Sequence, residues 1–358
     1  MNRFHYVSIL FFLFFLLIIN GTMGQESGKG DSIKKILPAA DAGDLNNNFY
    51  DNTETYRLSG GEIEVDGEVE NPGKIDLSKL PKHSVIVKET LLKEDGADVF
   101  VGAYRYDGYS LFDILCDRIV RKKNVAEFKS IIDLYIEIEN PKGEKVVLSW
   151  GEIYYPNFLH NCIIATEVAR IMPSKSKDLW PLPAERKLVI GNDLITERNI
   201  SNPVKITVRS WPQSIPINRD LDPLYSPDLK ILNGDMLLTT ISKNPKLQPK
   251  TVYTIFYGRG RGIHSTQPFT GFYLKEILGK YFTPDKKKVQ QGLVTIVGKD
   301  GYRAIFSFSE IMNRNDQSEV LLVPCKEEKD GGQFRIFPSG DFFSDRAVKA
   351  VSEIRVNW

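Results

Sequence analysis

The chain has 358 residues, 42% hydrophobic and 26% charged, with 47 Lys and Arg against 46 Asp and Glu. Such values belong to a folded globular protein, with length for about two domains of roughly 100–200 residues each. A net charge of +1 excludes a broad basic field of the kind that binds nucleic acid, so any basic site must be local.

Arg3 is the only charged residue in the first 24, and an unbroken apolar run of 11 residues, Ile9–Ile19, follows it. That run is shorter than the ~20 residues a membrane-spanning helix needs. With Thr22-Met23-Gly24 behind it, the stretch 1–24 reads as a secretory signal peptide cleaved before Gln25, and the alternative is a retained N-terminal anchor. The expected location is exported, either periplasmic or secreted, with no transmembrane segment after signal removal. Residues 25–56, rich in Asn, Asp, Gly and Ser, read as a polar linker. The cysteines, Cys116, Cys162 and Cys325, are odd in number and form no C-x-x-C pair, which excludes a zinc ribbon or haem attachment. A Cys162–Cys325 disulfide and buried free thiols are both open readings.

From there the chain is written twice. GYSLFDIL at 108–115 matches GFYLKEIL at 271–278, both G-x-x-L-x-x-I-L. The apolar positions have helical spacing, and each Gly is expected to break the chain before a short amphipathic helix. KGEKVVLSWGEI at 142–153 matches KDGYRAIFSFSEI at 299–311. Each is a strand-like alternation ending in Ser-x-x-Glu, the spacing of a capping box that opens a helical turn. RKLVIGNDLITER at 186–198 matches QFRIFPSGDFFSDR at 333–346, and VKITVRSW and VSEIRVNW close the two copies. Three matched blocks in one order imply an internal duplication of a unit of about 150 residues. The boundary falls in the proline-rich stretch 211–227. The expected domains are 57–212 and 213–358. Short strands with Gly and Pro turns and a few short helices suggest a mixed α/β (α+β) class.

In order, these blocks are VDGEVENPGKIDLSKLP at 65–81, KDGYRAIFSFSEI at 299–311, GGQFRIFPSGD at 331–341 and RAVKAVSEIRV at 346–356. Their order resembles the molybdopterin-binding domain of sulfite-oxidase-type oxidoreductases, in two tandem divergent copies over about residues 60–358. The resemblance implies a molybdenum held by a pterin dithiolene and one protein cysteine. That cysteine would lie within 82–108 or 251–271, and neither stretch contains one. A soft thiolate is the ligand such a centre favours, so the missing Cys argues against ordinary redox chemistry. The resemblance also places Arg335, Arg346 and Lys349 around a cofactor.

YGRGRGIHSTQPFTG at 257–271 has two readings. Glycines let backbone amides approach an anion, and guanidinium forks suit phosphate or carboxylate. Arg259, Arg261 and His264 would then join Arg335, Arg346 and Lys349 in a cationic pocket, with His264 a stand-in for the absent cysteine. Alternatively the loop is a hairpin tip with solvated charges, and Arg198 and Arg346, each five residues after an Asp, make internal ion pairs. GRGRG lacks the G-K-[ST] ending of a P-loop. No H-E-x-x-H, G-x-S-x-G or EF-hand loop occurs, and the four histidines include His5 in the leader, leaving few candidates for a triad. Tyr154, Tyr155, Phe342 and Phe343 are core or pocket lining. Three functions stay open. The first is a non-redox binder of an anionic ligand, or an assembly module. The second is a molybdopterin-dependent oxidoreductase with atypical ligation. The third is a structural protein that binds a protein partner.

Overall fold

Alternation along Leu134–Glu139 buries Leu134, Ile136 and Ile138 and leaves Tyr135, Glu137 and Glu139 at the margin, as expected of a strand with one face on a core. The computed structural model describes residues 50–358 apart from 52, 174 and 326–330. The signal-peptide stretch and most of the polar linker lie outside the described residues.

The chain is mostly β, 41% strand and 12% helix, in a four-bladed propeller-like arrangement. This corrects the expected mixed α/β class and the sulfite-oxidase-like domains drawn from it. The reason lies in helix length. G-x-x-L-x-x-I-L yields only Leu111–Cys116 and Leu274–Leu278, and the Ser-x-x-Glu turns yield Trp150–Tyr154 and Phe308–Met312. Each is a single turn or little more, too short to form a layer. Nor do the two glycines break the chain ahead of the helices. Gly108 lies within Asp98–Ser110 and Gly271 within Phe269–Tyr273. A Cβ on Gly108 would sit 2.1 Å from the Ile164 carbonyl oxygen, and one on Gly271 2.5 Å from that of Leu322. Glycine is there because a neighbouring strand passes too close for a side chain.

Strand order repeats between the halves. In the first, Gly73–Lys74, Glu64–Gly67, Lys205–Ser210, Leu134–Glu139 and Lys145–Ser149 lie side by side. In the second, Met236–Ile241, Leu229–Asn233, Val351–Asn357, Leu293–Gly298 and Arg303–Ser307 do the same. In both, the second and third strands run parallel and the rest antiparallel. The other two sheets match likewise. His83–Leu92, Asp98–Ser110, Cys162–Arg170 and Lys187–Ile190 correspond to Lys250–Val252, Phe269–Tyr273, Val320–Pro324 and Phe334–Pro338. Thr55–Arg57 adds an edge to the first of these.

The described residues form one compact unit, because the halves share buried surface. Lys145–Ser149 and Arg303–Ser307 face each other, and Val147, Ile305, Leu293 and Trp211 pack into one cluster. Phe128, Ile132 and Tyr155 of the first half enter the core of the second. Cys116 and Cys162 are free thiols, and Cys162 is buried. Among the described residues, no helix is long and apolar enough to cross a membrane.

Candidate functional site

Both Ser-x-x-Glu motifs cap helices, and they do so across the halves. Ser149 Oγ accepts from the Glu152 amide at 2.9 Å and donates to Glu310 at 2.7 Å. Ser307 Oγ accepts from the Glu310 amide at 3.0 Å and donates to Glu152 at 2.9 Å. A guanidinium completes each side. Arg198 chelates Asp193 through Nε at 2.8 Å and Nη2 at 2.7 Å, binds Glu152 at 2.5 Å, and reaches Ser307 of the other half at 3.1 Å. Arg346 chelates Asp341 at 2.8 and 2.6 Å, binds Glu310 at 2.5 Å, and reaches Ser149 at 3.2 Å. Both arginines are buried. A further crossed pair lies nearby, with Arg303 on Asp133 at 3.2 Å and Lys122 on Asp133 at 2.6 Å.

The N–H groups of Arg346 are all engaged within the protein, since Nη1 also reaches the Ile305 carbonyl. Arg346 is held in a structural ion pair, as is Arg198. Burial pushes the Asp193 carboxyl up to about 6, against the pull of Arg198, and raises Asp341 and Glu310 as well. Burial pushes Glu152 up as well, but Arg198, Ser307 and Arg314 together hold it below its ordinary value. For Asp193 the folded-state value exceeds the ordinary 3.8. Its stabilising contribution is then complete below that value and is lost as pH rises towards about 6. Raising the pH from about 4 to about 7 should shift thermal stability in favour of Asp193→Asn relative to the natural chain. A difference independent of pH would contradict this.

The other expected site residues are dispersed. Arg335 lies in Phe334–Pro338 with its guanidinium 5.3 Å over the Phe269 ring. Lys349 is exposed. Arg259 and Arg261 are exposed on the turn joining Phe256–Gly258 to Gly262–Ser265, so the glycine-rich loop is a hairpin tip. His264 is exposed and lies 5.0 Å from the Phe256 ring. With no cysteine in 82–108 or 251–271, these residues do not fit the metal of a molybdopterin centre.

The hairpin pairs with no other sheet. Phe256 anchors it against Phe269 and Phe337 at 5.6 and 5.7 Å, and Ser344 donates to the Tyr257 carbonyl at 2.8 Å. Tyr257 and Ile263 are directly paired, so they share the opposite face, and Phe342 lies 5.7 Å from Tyr257. Tyr253 is 85% exposed and Ile263 61%, and Ile255, Tyr257 and Phe342 are exposed too. The result is an apolar, aromatic patch beside two arginines.

A second group went unread in the sequence. Ser110 caps Leu111–Cys116 and donates to Asp113 at 2.6 Å. His83 Nε2 lies 2.8 Å from the same carboxylate oxygen, and His160 Nδ1 lies 3.5 Å from it and 3.1 Å from Ser110 Oγ. The two imidazoles stack at 3.8 Å, 6° from parallel, with Phe112 edge-on to His160. Burial, then His83, pulls His160 below the ordinary value. Ser110 is buried, so this is not a nucleophile presented to substrate. The signal was weak: His83 meets the 108–115 motif only through its pairing with Gly108.

No protein-family model matches the sequence, and no curated protein matches it.

Proposed function

We propose that this protein is a binding module that docks an acidic protein partner through the hairpin Phe256–Ser265, with the two crossed halves as its rigid mount. The observation that carries this reading is the exposed Tyr257, Ile263 and Phe342 face beside Arg259 and Arg261. Tyr, Phe and Arg are the residues enriched where interfaces concentrate binding energy. The tip arginines are exposed on a turn rather than enclosed, which favours a macromolecule over a small anion. Function in an exported compartment is part of the proposal and rests on the apolar N-terminal run.

Arg259→Glu with Arg261→Glu is the test. Both side chains are exposed, so the thermal midpoint should stay within about 2 °C, since surface changes are usually within ±0.5 kcal/mol. In extracts of the producing cells, the natural chain should sediment in a larger complex and the variant as the free protein. Identical sedimentation of the two would overturn the reading.

A further inference from the structure

The His83, Asp113 and His160 group has a feature that the fold itself does not require. Pairing His83 with Gly108 and Lys250 with Gly271 aligns the halves residue by residue. Lys250 then stands at the position of His83, Glu276 at that of Asp113, and Ser318 at that of His160. The second half builds the same strand–helix corner with neither imidazole, so the histidines are not there to hold the backbone.

We propose that His83 Nε2, His160 Nδ1 and one Asp113 oxygen form a site for a divalent transition metal of the Zn2+ and Cu2+ class. Two imidazoles and a carboxylate are a donor set these ions favour. The three donor atoms lie within 4.8 Å of one another, and opening the parallel imidazole stack turns both ring nitrogens toward one ion at bonds of about 2.0–2.2 Å. Ser110, donating to Asp113, orients the carboxylate as an outer hydrogen-bond partner does in such sites. His160 is 40% exposed at its side chain, which gives the ion an entry and leaves a position for water. The short His83–Asp113 contact holds one hydrogen between the two atoms. Metal binding takes that position on Nε2, and the neutral imidazole then carries its hydrogen on Nδ1.

Zn2+ titration calorimetry on untagged, chelator-stripped protein tests the proposal. One equivalent should bind. His83→Ala and His160→Ala should each weaken binding at least tenfold, and His264→Ala should leave it unchanged. Cu2+ electron paramagnetic resonance on the natural chain needs no variant and should show coupling to two imidazole nitrogens. Absence of binding, affinity unchanged by His160→Ala, or a copper signal with fewer than two nitrogens would overturn the proposal.

Discussion

Arg198→Met is expected to lower the free energy of unfolding by about 3–5 kcal/mol, the cost of leaving buried carboxylates without their cation. Asp193 and Glu152 both bind this guanidinium, and with side chains only 2% and 9% exposed they have little water to replace it. Ser307 would lose its contact with Arg198 as well, so the damage crosses into the second half. Arg346→Met should cost a similar amount through Asp341 and Glu310. Because the serines link the two clusters, the double variant should fall short of the sum. Arg198→Lys should not rescue, since an ammonium lacks the planar fork that chelates Asp193 while reaching Glu152. Arg355→Met, which loses partly exposed pairs with Asp235 and Glu353, should cost under about 1 kcal/mol. Urea unfolding measures all of these. An Arg198→Met cost no larger than that of Arg355→Met would show that the crossed network does not hold the halves together.

Gly108→Ala is expected to cost about 3 kcal/mol, the upper end for forcing atoms into a packed interior. The added carbon meets backbone at 2.1 Å, and a carbonyl in a central strand cannot rotate aside as a side-chain tip can. The strands Asp98–Ser110 and Cys162–Arg170 must separate, and His83, paired with Gly108, must move with them. Loss of metal binding should accompany the loss of stability. Gly260→Ala is the control, since a carbon there meets nothing within 4 Å. Urea midpoints should separate the two variants clearly. Equal stability of both would contradict the close approach described for Gly108.

What could be read ahead of the structure was whatever the chain states locally. Ser149 and Ser307 announce helix caps by their spacing to Glu152 and Glu310. An internal ion pair is one of two readings of Arg198 and Arg346, each five residues after an Asp. The hairpin at Arg259–Arg261 was one of two readings of a glycine-rich loop. What could not be read depends on pairing between distant segments. Ser149 reaches Glu310 and not only its own helix, because Lys145–Ser149 and Arg303–Ser307 face each other. His83 and His160 are 77 positions apart in the sequence and meet only through strand register. The fold class went astray because short amphipathic motifs carry a helical period whether the helix extends one turn or four. Arg346 was placed at a cofactor because basic residues in a motif look alike whether they face a ligand or a buried carboxylate.

Site-specific photocrosslinking in the producing cells tests docking through the hairpin. A photoreactive residue replaces Ile263 on the patch or, as a control, Leu179, which is equally exposed elsewhere. The account predicts one discrete crosslink to a different, acidic protein from position 263, none from position 179, and loss of that product with Arg259→Glu and Arg261→Glu. No product from position 263, a crosslink only to a second copy of this chain or to lipid, or equal products from both positions would contradict it.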